Sequence, residues 1–160
     1  MQIPSPESAS FSEIANAFCD WCESSSFPEQ PEVAAAVWLA RLHAAALALP
    51  DVSSEDDEGL PNLPQPFLDR ATKNLSHFNG VYYRTVFDPN PALAEDPVIG
   101  DIGDDLLDTY KDVKAGTVLV ARGQFQDALW HWQFLHRIHW GRHAVGALAA
   151  LHAISQERSA

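Results

Sequence analysis

The chain has 160 residues, of which 46% are hydrophobic and 20% are charged, and this is enough for one domain with its own core. Its formal net charge of −12 argues against nucleic-acid binding and against anionic membrane surfaces, because both require basic side chains. No run of about 18 apolar residues predicts a membrane-spanning helix, and the N-terminus lacks the features of a signal peptide. We therefore expect a cytoplasmic protein without nucleic-acid or membrane partners.

Apolar residues recur every three or four positions in five segments, and this periodicity predicts five helices. Prolines and glycines between these segments mark the helix ends. The predicted helices run approximately over residues 10–24, 31–49, 66–78, 101–123 and 124–154. The last of them contains two glycines where it could bend, Gly141 and Gly146.

The remaining segments are predicted to be irregular: a flexible leader (1–9), an acidic proline-rich loop (51–65) and a loop with three prolines (88–100). Residues 81–87 (VYYRTVF) have the composition of a strand, but no second strand-like run is available to pair with them. We therefore predict helix or extended chain there. The expected fold over residues 1–160 is an all-α, single-domain bundle of about five helices with the C-terminal helix at its centre.

Five of the seven histidines and three of the five tryptophans lie between residues 130 and 152. On one continuous helix His136, His139 and His143 would share a face, because their spacing is i, i+3, i+7. Histidine is the commonest metal ligand and a proton carrier near neutral pH. The same face also carries Leu129 and Trp132, so hydrogen-bonded core histidines are the favoured interpretation. A metal or acid–base site is the alternative.

The fourth predicted helix carries a stripe of aspartates that could face these histidines. Asp108 and Asp112 lie beyond its first turn, where aspartate is a poor helix former and where like charges four residues apart repel. A solvated acidic face is the simplest explanation. Because only a short link around Gly123 joins the fourth and fifth helices, antiparallel packing would bring the aspartates opposite the histidines. The sequence has neither H-E-x-x-H nor E-x-x-H.

Two sets of residues follow from this alignment of the last two helices. The candidate site residues are Asp105, Asp108, Tyr110, Asp112, Trp132 and Trp140. The candidate metal ligands are Asp108, Asp112, His136, His139 and His143. A divalent metal is the alternative to the default expectation, which is no cofactor.

The two cysteines form a C-x-x-C motif, Cys19 and Cys22, inside the first predicted helix. Redox motifs of this type begin a helix in a βαβ context, which is missing from this sequence. We therefore predict buried cysteines that pack as small hydrophobic residues. A zinc site of both cysteines with His139 and His143 is the alternative.

Resemblance to a known family is carried by five segments: FCDWCE, LARLHAAALALP, YYRTVFDPNP, DDLLDTYKDVKAG and ALWHWQFLHRIHWGRHAVGALAALH. Together they resemble an uncharacterised bacterial family, domain of unknown function 5063, over most of the chain. The most specific positions are Asp108, Tyr110, Asp112, His139, Trp140, Gly141 and His143. The resemblance implies a small helical cytosolic protein and implies no activity.

For function, the sequence favours a soluble helical module that binds or interacts with a protein partner and has no established catalysis. One alternative is a metal-dependent, hydrolase-like enzyme, in which histidines and one aspartate hold the ion and another carboxylate acts as base. The other is an acidic inhibitor or immunity-type protein that acts through its charged surface. The sequence does not identify a substrate or a partner.

Overall fold

Six helices and two short strands make up the fold of the computed structural model, which describes residues 6–25, 27, 29–55 and 59–160. The helices are α1 (Pro6–Glu23), α2 (Pro31–Leu47), α3 (Gln65–Leu75), α4 (Ile102–Ala121), α5 (Phe125–Ile138) and α6 (Trp140–Ser159). The strands are β1 (Tyr82–Thr85) and β2 (Val98–Asp101), and one 3-10 turn, Ser76–Phe78, extends α3. The prediction of an all-α fold is confirmed, with six helices in place of five.

Helix α4 lies at the centre of the packing, because it contacts α1, α3, α5 and α6. It buries ten of its 20 residues, and the C-terminal segment predicted to be central, which is α5 and α6, buries five of 14 and six of 20 and packs on α4 and α2. A close approach in this core lies at Gly116, where a Cβ atom would be 2.0 Å from Nε1 of Trp132. The indole of Trp132 then donates a hydrogen bond to the carbonyl of Val113 (2.9 Å).

The long C-terminal helix of the sequence prediction is two helices, which are separated at His139. This residue has φ −141° and ψ −84°, outside the helical region, so α5 ends at Ile138 and α6 begins at Trp140. The break lies before Gly141 and Gly146, where a bend was expected. It allows the ring of Trp140 to enter the core, where it is fully buried and donates a hydrogen bond to the carbonyl of Trp132 (3.0 Å).

The segment 81–87, predicted as helix or extended chain, contains a strand. Strand β1 pairs antiparallel with β2, and Tyr83 lies opposite Gly100. The partner strand was not recognised because it has only four residues and lies at the end of the proline-rich segment, so that residues 98–100 of the predicted irregular loop are in β2. A two-stranded sheet alone is marginally stable, and here it is supported by contacts of β2 with α4 and α6.

Two further segments differ from their predicted extent. Helix α1 begins at Pro6, so residues 6–9 of the expected leader are helical, and residues 1–5 lie outside the described residues. The acidic loop ends where α3 begins at Gln65, and its residues 56–58 also lie outside them. Within the described part of the chain, no helix is long and apolar enough to cross a membrane.

Candidate functional site

The aspartates of α4 have different surroundings, although they follow one another along the same helix. Asp101 is the N-cap, and its carboxylate accepts hydrogen bonds from the backbone N–H groups of Gly103 (2.8 Å) and Gly80 (2.9 Å). Asp105, one turn later, is only 5% exposed, and its carboxylate points toward α6 rather than into solvent. The solvated acidic face expected from the sequence therefore does not include Asp105.

Three aspartates of α4 and two histidines at the start of α6 form one group, which we call the Asp/His cluster: Asp105, Asp108, Asp112, His139 and His143. Nδ1 of His143 lies 2.7 Å from Oδ1 of Asp105, and its Nε2 lies 3.6 Å from Oδ2 of Asp108. Nδ1 of His139 lies 2.6 Å from Oδ2 of Asp112. One ligand atom each from Asp108, His139 and His143 lie within 4.8 Å of one another.

These hydrogen bonds determine which imidazole nitrogens can accept a further ligand. An imidazole that donates its Nδ1–H to a carboxylate keeps a lone pair on Nε2 and is held in one orientation. The bond to Asp105 is the main reason why the pKa of His143 is raised. Burial raises the pKa of Asp112, and the bond from His139 partly offsets this effect. Asp105 and Asp112 thus orient the two histidines, and Asp112 is not one of the three residues that converge.

Tyr83 belongs to the same group, and the sequence analysis did not identify it. Its hydroxyl donates a hydrogen bond to Oδ2 of Asp105 (2.5 Å), the oxygen that His143 does not use. Burial and this hydrogen bond raise the pKa of Tyr83, so it remains a neutral donor. The strand-like composition of residues 81–87 was the one sequence feature that pointed to this segment. The sequence does not show that the segment packs against α4 and α6.

His136 lies apart from the Asp/His cluster, contrary to the predicted alignment, because the break at His139 rotates α6 relative to α5. Its Nε2 lies 2.9 Å from Nδ1 of His43 on α2, and its ring packs on Trp140 with 4.6 Å between centroids. Burial, and then the nearby His43, lower the pKa of His136 to about 4. We call these two residues the His43/His136 pair.

The three aromatic candidates are also outside the cluster. Tyr110 is fully buried, and its hydroxyl donates to the carboxylate of Glu23 (2.6 Å), which also pairs with Lys114 (2.6 Å). Trp132 and Trp140 are core residues, whose N–H groups are satisfied by backbone carbonyls. These three aromatic residues lie near the aspartates and histidines in sequence because core positions recur along the same helices, and they do not share a site with them.

Both cysteines are buried in α1 as free thiols, as the sequence predicts. Burial raises the pKa of Cys19 and of Cys22 well above the ordinary value, so neither forms a thiolate readily. The alternative zinc site with these cysteines is not supported, because among the described residues the ligand atoms of His139 and His143 converge with Asp108 and not with either thiol.

Comparisons with known proteins identify the family of this chain and a protein that shares its fold. Protein BF1032 from Bacteroides fragilis, a structural-genomics target, is similar in structure, with a TM-score of 0.74 and 21% sequence identity. The match covers 94% of this chain and 92% of that protein, and at this identity it shows a shared fold. No protein of curated function matches the sequence. The family model described as domain of unknown function 5063 matches residues 2–157, and the chain therefore belongs to this family.

Proposed function

We propose that this domain binds one divalent transition-metal ion between α4 and the start of α6, with Asp108, His139 and His143 as its ligands. The observation that carries the proposal is the convergence of one ligand atom from each residue within 4.8 Å. Ligands at about 2.1 Å from a tetrahedral ion are about 3.4 Å apart. Small rotations of the partly exposed side chains would therefore complete the coordination.

The surrounding hydrogen bonds support a metal site more specifically than the three ligands alone. Metal-binding histidines usually donate their second ring nitrogen to a carboxylate or carbonyl, which fixes the tautomer and the ring orientation. Asp105 and Asp112 provide this contact for His143 and His139, at 2.7 and 2.6 Å. Both carboxylates lie on α4, so one rigid helix orients both imidazoles and supplies the third ligand.

The ligand types indicate which ions would bind. Two imidazoles with one carboxylate suit Zn²⁺, Fe²⁺, Co²⁺ or Ni²⁺ better than Mg²⁺ or Ca²⁺, which prefer ligand sets made only of oxygen. Three protein ligands leave at least one position open, as in catalytic rather than structural zinc sites. The side chain of His139 is 45% exposed, so the open position would face solvent.

The open position also favours the metal-dependent enzyme as a second candidate function. The other two carboxylates of the cluster, Asp105 and Asp112, each bond an imidazole already, so a hydrolytic reaction would need a base from the substrate or from bound water. Metal binding is for this reason the better supported proposal. A protein-interaction module and an acidic inhibitor both stay predictions.

The proposal is tested by calorimetric titration of metal-free protein with Zn²⁺ and by the visible absorption of the Co²⁺ form. We expect saturable 1:1 binding, and a stabilisation of about 2.7 kcal/mol at a free-metal concentration 100 times the dissociation constant. His139→Ala and Asp108→Ala should abolish this binding. Both side chains are partly exposed, so both variants should fold.

His136→Ala is the matched control, because it removes an imidazole from the neighbouring helix without touching the Asp/His cluster. It should retain 1:1 binding with the wild-type Co²⁺ spectrum. Wild-type protein without saturable binding would overturn the proposal. Equal loss of binding in His136→Ala and His139→Ala would also overturn it, since binding would then not depend on the proposed ligands.

A further inference from the structure

We propose that Tyr83 is a positioning residue of the metal site, which fixes the imidazole of His143 through the carboxylate of Asp105. This inference rests on the proposed function. Tyr83 would touch neither the ion nor its water. Its effect would be on the orientation of one ligand and hence on metal affinity.

The carboxylate of Asp105 accepts hydrogen bonds from two different donors. Oδ1 lies 2.7 Å from Nδ1 of His143, and Oδ2 accepts the hydroxyl of Tyr83 at 2.5 Å. Asp105 is 5% exposed, so little water is available to replace either donor. Removal of the Tyr83 hydroxyl would leave one oxygen of a buried carboxylate without this donor and free the group to rotate. The bond to His143 would then lose its fixed direction.

The ring of Tyr83 is held in a fixed position. A Cβ atom at Gly100, opposite on β2, would lie 2.5 Å from Cζ of Tyr83, and one at Gly146 on α6 would lie 2.7 Å from its hydroxyl oxygen. The ring thus occupies a slot between two residues that have no side chain. Its neighbour in the strand, Tyr82, is 68% exposed.

The Tyr83 slot connects three elements of the fold. Strand β1 supplies Tyr83, and α4 supplies Asp105. Helix α6 supplies His143 and one of the two glycines that line the slot. A change in the position of the hairpin would therefore be transmitted to His143 through two short hydrogen bonds. His139 is oriented separately, by Asp112. Tyr83 should affect one ligand of the ion and not the other.

The test is Tyr83→Phe, which keeps the ring in its slot and removes the hydroxyl. We expect the dissociation constant for Zn²⁺ to rise 10- to 100-fold, the range typical for groups that orient metal ligands. The Co²⁺ spectrum should change, and the side-chain ¹⁵N resonances of His143 in the metal-free protein should shift while those of His139 stay in place. A purely structural role would not move one histidine selectively.

Two tyrosine variants are matched controls. Tyr82→Phe removes an exposed hydroxyl from the same strand and should leave affinity unchanged. Tyr110→Phe removes a buried hydroxyl that bonds Glu23, so it should lower the melting temperature of the metal-free protein without changing the Zn²⁺ affinity of its folded state.

The outcomes separate this inference from the proposed function. If wild-type protein binds Zn²⁺ and Tyr83→Phe binds it within twofold, or if Tyr110→Phe weakens it equally, the role of Tyr83 is overturned while metal binding stands. If wild-type protein binds no metal, the proposed function fails. Unchanged His143 resonances in metal-free Tyr83→Phe would overturn the inference by themselves.

Discussion

The Asp/His cluster and the His43/His136 pair take their histidines from one short stretch of sequence but have opposite chemistry. In the cluster, His143 faces carboxylates, and its hydrogen bond to Asp105 raises its pKa. In the pair, His136 faces another imidazole in a largely apolar setting, and its pKa falls to about 4. One environment favours a positive charge, such as a proton or a metal ion, and the other excludes it.

The comparison shows that the partner helix, and not the spacing of the histidines, determines their chemistry. Helix α4 presents carboxylates to the start of α6, whereas α2 presents His43 to the end of α5. The break at His139 makes this division, because it turns residues before and after it toward different neighbours. A straight helix would have placed all three histidines on one face.

The largest expected effect comes from replacing Gly141, which the break between α5 and α6 requires. A Cβ atom at Gly141 would lie 2.1 Å from the carbonyl oxygen of His136, which belongs to the backbone and cannot move aside cheaply. We expect Gly141→Ala to lower the free energy of unfolding by about 3 kcal/mol, as overpacking does at rigid sites. Urea unfolding measures this loss. A loss below about 1 kcal/mol would show that the junction adapts and does not require glycine.

A second prediction concerns the two orienting aspartates. Asp105→Asn keeps the shape but removes the charge and replaces one acceptor oxygen by an amide donor, so His143 can keep its bond only as a neutral imidazole that accepts at Nδ1, and the charge-assisted bond is lost. We expect a loss of about 2 kcal/mol in the free energy of unfolding. Asp112→Asn should cost less than about 1 kcal/mol, because its partner His139 is 45% exposed and water can replace the bond. Equal losses in the two variants would contradict the difference in burial.

The smallest effect is a pH dependence from the His43/His136 pair. The folded-state pKa of His136 is about 4 against an ordinary 6.5, so the unfolded chain takes up this proton first, and stability falls as pH decreases from about 6.5 to about 4. The full shift corresponds to about 3 kcal/mol, and solvent screening of the partly exposed ring lowers this to about 1–2 kcal/mol.

The measurement is the difference in urea unfolding between pH 7 and pH 4.5, for wild-type protein and for His136→Gln. Glutamine keeps a polar group near Nε2 and does not titrate. The variant should lose less stability on acidification than wild-type protein, while other groups contribute equally to both. The same pH dependence in both proteins would show that the titration of His136 does not contribute to the free energy of unfolding.

Much of the fold was predictable because apolar periodicity determines which helix faces are buried. It predicted the helices and the antiparallel arrangement that brings Asp105, Asp108 and Asp112 close to His139 and His143. The same periodicity failed at His139, because apolar spacing does not indicate the break there, and the glycine that the break requires, Gly141, lies two residues further along the chain.

The hairpin and Tyr83 could not be predicted for a related reason. Strand β2 has four residues and includes a glycine, so its composition does not indicate a strand. A side chain at Gly100 on β2, or at Gly146 on α6, would occupy the space of the Tyr83 ring. Such contacts join distant parts of the chain, and a local sequence pattern does not predict them.

The positions of these contacts along the chain also bear on the order of folding. The bonds of Tyr83 and the Asp/His cluster join residues 22 to 38 positions apart, whereas the bond between His43 and His136 joins residues 93 positions apart. Closing the longer loop costs about 1 kcal/mol more in chain entropy. We therefore expect the Asp/His cluster to form earlier in folding than the contact between α2 and the end of α5.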